Sequence, residues 1–157
     1  MAKKEFVQVD LDNEVHCKNL LRLINEYMAD GIGLGEPMPD HLGPKIIEGL
    51  KKHAGYIGFF VQIDEDFAAL ANCNLNFSTW KAKPLINIHD FIVSTDFRKQ
   101  GVGLFLLEKI AEYAGQKGYC RINLEVSHDN YKAQNLYNKA GYKECEPPNY
   151  FWEKRLE

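Results

Sequence analysis

The chain has 157 residues and a mass of 18.0 kDa, enough to bury one core without disulfide or metal staples and short for two domains. Its residues are 45% apolar, 12% aromatic and 26% charged, which excludes low-complexity disorder, collagen-like repeats and coiled coil. The 19 Lys and Arg against 22 Asp and Glu leave a net charge of -3, without the basic excess of a nucleic-acid footprint. No apolar run approaches the roughly 18 residues of a membrane span, and Met1 to Phe6 lead into no apolar signal core. A single domain over 1–157, cytoplasmic, with no nucleic-acid and no membrane partner, is the expectation. Cys17, Cys73, Cys120 and Cys145 form no CxxC pair and no cluster of zinc-ligand spacing, so reduced thiols packed as small hydrophobes are expected, and no metal.

In chain order, Asn13 to Ala29 is predicted helical, with Leu20, Ile24, Tyr27 and Met28 on one stripe. The glycine- and proline-rich run from Asp30 to Pro37 ends it and opens the one long loop. Pro44 then starts a short helix that ends near His53-Ala54-Gly55. Tyr56 to Ile63 is aromatic and β-branched, and Asp64-Glu65-Asp66 turns it into a second strand. Alternation places Phe67, Ala69, Ala71, Cys73, Leu75 and Phe77 on one face of that strand, and Asn72, Asn74 and Asn76 on the other. A third strand runs from Ile86 to Val93, a helix from Gly103 to Lys117 and a strand from Tyr119 to Val126. A further helix covers Asn130 to Ala140, and two last strands near Tyr142 to Cys145 and Tyr150 to Arg155 flank Pro147-Pro148. The fold class is α/β with a mixed sheet, in which Ile86 to Val126 forms a right-handed parallel crossover.

Between that strand and helix stands Ser94-Thr95-Asp96-Phe97-Arg98-Lys99-Gln100-Gly101-Val102-Gly103. Its two glycines either let backbone approach a ligand or only permit a tight turn. In the first case unpaired helix N–H groups and the macrodipole face an anion such as a pyrophosphate, with Arg98 and Lys99 adding charge. There is no GxxxxGK[ST] run, and Leu106 stands where a dinucleotide fingerprint needs its third glycine, so neither of those phosphate motifs applies.

Arg98-x-x-Gly101-x-Gly103 after an apolar strand resembles the acetyl-CoA pyrophosphate loop of the GNAT superfamily of N-acetyltransferases. Asn130-x-x-Ala133-x-x-Leu136-Tyr137-x-x-x-Gly141-Tyr142 is similar to that family's later motif. The resemblance covers Ile86 to Tyr142. It implies a central twisted mixed sheet flanked by helices, with a V-shaped cofactor cleft between the parallel strands Ile86–Val93 and Tyr119–Val126. It also implies acetyl-CoA as co-substrate: backbone of Phe91, Ile92 and Val93 on the pantetheine arm, and the loop Arg98, Lys99, Gln100, Gly101, Val102, Gly103 and Leu104 on the pyrophosphate. Asn130 and Ala133 would hold the cofactor from the other side, and Tyr137 would sit near the thioester sulfur.

The resemblance implies acetyl transfer to a primary amine of a small molecule or peptide by direct attack, since no cysteine falls in the motifs. Tyr137 is the candidate acid for the leaving thiolate, or else a core tyrosine. His89 and Asp90 interrupt an apolar strand. Strict alternation groups His89 with Asn87, Phe91 and Val93, and Asp90 with Ile86, Ile88 and Ile92. His89 relaying a proton through water, Asp90 as base or ammonium receptor, and water alone all stay open as the base. Asn72, Asn74 and Asn76 either order water in the cleft or mark a solvated face, and Glu36, Asp40 and Glu48 either attract a cationic amine or are plain surface. Two non-enzymatic alternatives are an acyl-CoA sensor without turnover and an assembly module, in which Phe151-Trp152 would form a homodimer seam.

Overall fold

Five strands build the sheet in the order β1 (Lys4–Gln8), β2 (Tyr56–Ile63), β3 (Asp66–Ser78), β4 (Lys83–Val93) and β5 (Ile122–Leu124). The computed structural model describes residues 2–31 and 33–157, and these form two units, the first ending at Glu125 and the second running from Val126 to Glu157. The first unit also holds α1 (Glu14–Ala29), α2 (Leu42–Lys52) and α3 (Val102–Gln116); the second holds α4 (Tyr131–Lys139). β1 to β4 are antiparallel neighbours, and β4 with β5 is the parallel pair. β1 escaped the sequence reading because Phe6 and Val7 are its only strongly apolar residues; it is an edge strand, half-buried against β2.

Helix ends follow their capping chemistry. The Asn13 side chain accepts from the Val15 and His16 N–H groups at 2.9 and 3.3 Å and starts α1. α3 stops where Gly118 takes a φ of +73°, so that Tyr119 N–H returns to the Ala114 carbonyl and Gly118 N–H to Gly115. That return takes the chain expected to begin β5 at Tyr119, and the strand starts only at Ile122. The same motif ends α4, with Gly141 at +86° and Tyr142 N–H on the Tyr137 carbonyl.

The sheet separates two apolar layers. On one face, Phe60, Phe67, Leu70 and Ile92 pack with Leu20 and Leu23 of α1, flanked by Ile46, Ile47 and Leu50 of α2. On the other, Phe59 meets Tyr113 of α3 edge-on at 5.0 Å, and Leu106, Leu107 and Ile110 of α3 are buried. Two bulges modify the alternation expected from the sequence. Val61 pairs Ala69 and Gln62 pairs Phe67, so Ala68 is an extra residue and Phe67 turns to the α1 face, its ring 4.7 Å from Phe60. In β4, Asn72 pairs Asp90 while Cys73 pairs Ile88, which leaves His89 extra. Asp90 therefore shares its face with Asn87 and Ile92 rather than with Ile86 and Ile88.

Beyond α4 the chain is irregular, and the two strands expected near Tyr142 to Cys145 and Tyr150 to Arg155 are absent among the described residues. Pro147 and Pro148 offer no N–H to a ladder, and the aromatic run that suggested a strand is 84%, 72% and 87% exposed at Tyr150, Phe151 and Trp152. The cysteines are all free thiols; Cys73 alone is fully buried, Cys17 and Cys120 are half-buried and Cys145 is exposed. No helix is long and apolar enough to cross a membrane among the described residues.

One polar contact fastens α1 to the end of β4. Glu26 accepts from the Thr95 N–H at 2.6 Å, the Thr95 hydroxyl at 2.9 Å and the buried Ser94 hydroxyl at 3.1 Å, with Arg22 at 3.5 Å. Partial burial alone would raise the Glu26 pKa, but these donors and the guanidinium outweigh it and hold the carboxyl below its ordinary 4.5. Stability from this group is full above 4.5 and is lost as pH falls through the lower folded value. Glu26→Gln is expected to cost about 1.5–3 kcal/mol in denaturant unfolding at neutral pH, the scale of hydrogen bonds to a charged group. The difference from wild type should shrink on acidification below that range; a difference constant down to pH 3 would contradict the linkage.

Candidate functional site at the end of β4

The parallel pairing runs from Ile86 with Ile122 to Ile88 with Leu124, and β4 then continues for five residues beyond it. Over that stretch β4 stays in register with β3, Phe91 opposite Ala71, Ile92 opposite Leu70 and Val93 opposite Ala69. β4 thus outruns β5, and the residues expected to meet a pantetheine arm, Phe91, Ile92 and Val93, lie beyond the parallel ladder with β3 as their neighbour. The C-terminal ends of parallel strands are where ligands enter open α/β sheets.

The chain leaves β4 through a short 3-10 turn (Thr95–Phe97) and reaches α3 by two left-handed residues, Lys99 at φ +61° and Gly101 at +73°. Gly101 is exposed, and a Cβ built on it meets no atom within 4 Å, so the space beside it is open. Among the described residues no side chain caps the first turn of α3, nor that of α2, whereas Asn13 and Asn130 cap α1 and α4. The N–H groups of Val102, Gly103 and Leu104 begin the helix there, with its positive dipole end behind them, an arrangement suited to phosphate oxygens. Val102 and Gly103 are buried, so they contribute backbone only.

The loop side chains divide between two roles. Arg98 is turned into the protein: its Nη2 donates to Asp30 Oδ2 at 2.9 Å and its Nε to the Val93 carbonyl at 3.1 Å. Gln100 closes the loop on itself through the Asp96 carbonyl at 2.9 Å. Lys99 is exposed and in no ion pair among the described residues, which leaves its ammonium available to an anion.

His89 and Asp90 sit just before this stretch. His89, the bulge residue, is exposed. Asp90 is half-buried and fixed by a chain the sequence reading did not assemble: the Tyr56 hydroxyl donates to Asn72 Oδ1 at 2.8 Å, and Asn72 Nδ2 donates to Asp90 Oδ2 at 3.0 Å. Asn72 is 5% exposed and spends both ends of its amide here. Burial pushes the Tyr56 hydroxyl well above its ordinary value, with Cys73, Asp90 and Cys17 acting in the same direction, so at neutral pH it is a donor. Burial, then Asp90, pushes the Cys73 thiol up to about 12, which leaves it no thiolate character. No salt bridge among the described residues includes Asp90, so a carboxylate oxygen is left for a cationic ligand. Asn74 meets His53 at 2.9 Å and Asn87 meets Asn123 at 2.9 Å, so this row of the sheet is an ordered polar strip rather than a merely solvated face. Of the acids proposed to attract an amine, Glu48 pairs with Lys52, while Glu36 and Asp40 are exposed in the segment between α1 and α2.

In the second unit Asn130 caps α4, its Oδ1 accepting from the Ala133 N–H at 3.2 Å. Ala133 and Tyr137 are half-buried on that helix, and the Tyr137 ring lies 6.1 Å from Tyr142. Tyr56, Asn72 in its connecting role and Glu26 are the site residues the sequence left unread. Tyr56 stands opposite Asn74 and reaches Asn72 diagonally across the pair, a contact that only the register reveals.

The family model described as Acetyltransferase (GNAT) family matches residues 20–142. A thialysine N-epsilon-acetyltransferase of Bos taurus is 35% identical over 154 residues, covering 87% of this chain and 84% of that protein. An uncharacterized N-acetyltransferase of Methanocaldococcus jannaschii is 32% identical over 91 residues, 57% of this chain. The chain spans 40% of the length of that archaeal protein, and 52% and 63% of two further microbial relatives. Among solved structures, that of a probable acetyltransferase superposes with a TM-score of 0.83 at 23% identity, over 98% of this chain and 99% of the other. An aminoglycoside N-acetyltransferase in complex with CoA gives 0.75 at 18%, over 99% and 97%. The mixed five-stranded sheet, with its one parallel pair, and these matches agree: the chain belongs to the GNAT acetyltransferase family.

Proposed function

We propose that the chain transfers the acetyl group of acetyl-CoA to a primary amine of a small cationic molecule, by direct attack within a ternary complex. The observation that carries this reading is the uncapped first turn of α3, entered through left-handed Gly101 at the end of a β4 that outruns β5. Backbone of Ile92 and Val93, the N–H groups of Val102 to Leu104 and the Lys99 ammonium are the groups that fit a pantetheine arm and a pyrophosphate. Acetyl-CoA supplies the activated acyl group; the protein supplies orientation, charge and proton movement. The names of relatives support an amine acceptor, one a thialysine N-epsilon-acetyltransferase and another an aminoglycoside N-acetyltransferase.

An amine attacks only when neutral, so a proton must leave it, and the departing thiolate must gain one. Asp90, aligned by the Asn72 amide, is suited to receive an ammonium group of the acceptor. Exposed His89, next to it, is suited to take the proton through water. For the thiolate we assign Tyr137, on its place in the later family motif. Cys73 has no part in an acyl-enzyme route, because its thiol keeps its proton.

Gly101→Glu tests the cofactor site. Gly101 is exposed with open space beside it, so the variant should fold, losing about 1–2 kcal/mol to the left-handed φ, and should lose acetyl-CoA binding by calorimetry. Gly101→Ala carries the same strain without the charge and should keep most of the affinity; wild-type affinity in Gly101→Glu would remove the pyrophosphate from this turn. Gly103 is unsuited to the same test, since a Glu there would be buried within α3.

Tyr137→Phe should leave acetyl-CoA affinity unchanged and lower turnover by about 10² to 10⁴, the range of a placed general acid. His89→Gln should lower turnover while leaving acetyl-CoA affinity unchanged, because the amide cannot accept the proton of the amine. Full turnover in Tyr137→Phe would return the tyrosine to a packing role, and binding of acetyl-CoA without thiol release from any amine would favour a sensor.

A further inference from the structure

Two acids at the end of α1 reach the loop that precedes α3, over 68 and 69 residues of sequence. Glu26 takes the Ser94 hydroxyl and the Thr95 N–H and hydroxyl. Asp30, one turn further and the C-cap of α1, takes Arg98, whose Nε is at the same time on the Val93 carbonyl. The same stretch of α1 also holds the segment that leads to α2. Asn25 Oδ1 accepts from the Met38 N–H at 2.6 Å, the Asp30 carbonyl accepts from the Gly33 N–H at 2.9 Å, and a Cβ on Gly33 would collide with the Tyr27 carbonyl oxygen.

We infer that Glu26 and Asp30 are positioning residues of the cofactor loop, and that Arg98 is the strut between α1 and that loop rather than a ligand of the pyrophosphate. The inference rests on the reading of this loop as the CoA site. An arginine that bonds Asp30 with one nitrogen and a β4 carbonyl with another fixes the angle at which the chain leaves β4. That angle sets where the first N–H groups of α3 stand. Because α1 holds the segment from Gly33 to Met38 as well, order in the cofactor loop is coupled to order in that segment through one helix end.

The two roles of Arg98 differ in sign when Asp30 is neutralised. A strut loses its anchor, so Asp30→Asn should weaken binding of CoA about tenfold by calorimetry, the scale of one charge-assisted hydrogen bond. Asp30→Glu, which keeps the charge, should recover part of that affinity, and Asp30→Asn with Arg98→Met should bind no more weakly than Arg98→Met alone. Equal or tighter CoA binding by Asp30→Asn would overturn the inference, because it would mean a guanidinium released to the phosphates. Hydrogen exchange without any ligand decides the same question independently: amides from 94 to 104 should exchange faster in Asp30→Asn and Glu26→Gln, while those of β2 stay protected. Unchanged exchange from 94 to 104 overturns the clasp whether or not CoA binds. Absence of CoA binding by the wild-type protein would instead defeat the cofactor reading, leaving faster exchange in the variants to uphold the clasp.

Discussion

The parallel contact between β4 and β5 lasts for three residue pairs, and the five residues of β4 that follow it set what the rest of the site can be. The ladder stops at Ile88, the bulge at His89 comes immediately past its end, and Asp90 is the next residue. Gly101 then turns the chain into α3 with open space beside it. A single extra residue puts an exposed imidazole next to a half-buried carboxylate at this strand end, on the strand that leads to the first turn of α3.

The polar strip beside that strand has its own physical logic. Asn72 is nearly inaccessible, and a buried amide is costly unless both its ends are used. Tyr56 satisfies its oxygen and Asp90 its nitrogen, which forces the direction of the chain: hydroxyl to amide to carboxylate. In that direction Tyr56 is the donor, and the burial that keeps the Tyr56 proton on also keeps the nearby Cys73 thiol protonated. Among the described residues Asp90 is in no salt bridge, and its carboxylate is held by the neutral Asn72 amide.

Helices were legible in the sequence because their signals are local: the stripe at Leu20 and Ile24, the Asn13 cap, and the glycine stops at Gly118 and Gly141 each act within a few residues. The strands were legible as segments, and their faces were not. Alternation is a statement about an unbroken ladder, and the extra residues Ala68 and His89 each break it, which turned Phe67 toward α1 and regrouped Asp90. Tyr142 to Arg155 misled for the opposite reason, since β-favouring aromatics form strands only where a partner edge takes their N–H groups, and two prolines lie in the middle of the run. The loop motif was readable through its glycines, while the partner of Arg98 was hidden, because Asp30 lies 68 residues away.

Acetyl transfer to an amine is tested most directly by product analysis: wild-type protein with acetyl-CoA and a panel of monoamines, diamines and amino acids, following thiol release together with the mass of the amine. Catalysis at this strand end requires thiol and N-acetylated amine to form in equal amounts, fastest with an acceptor that carries a second ammonium group. Thiol release at the rate of hydrolysis alone, with acetyl-CoA bound and every amine recovered unmodified, would contradict it.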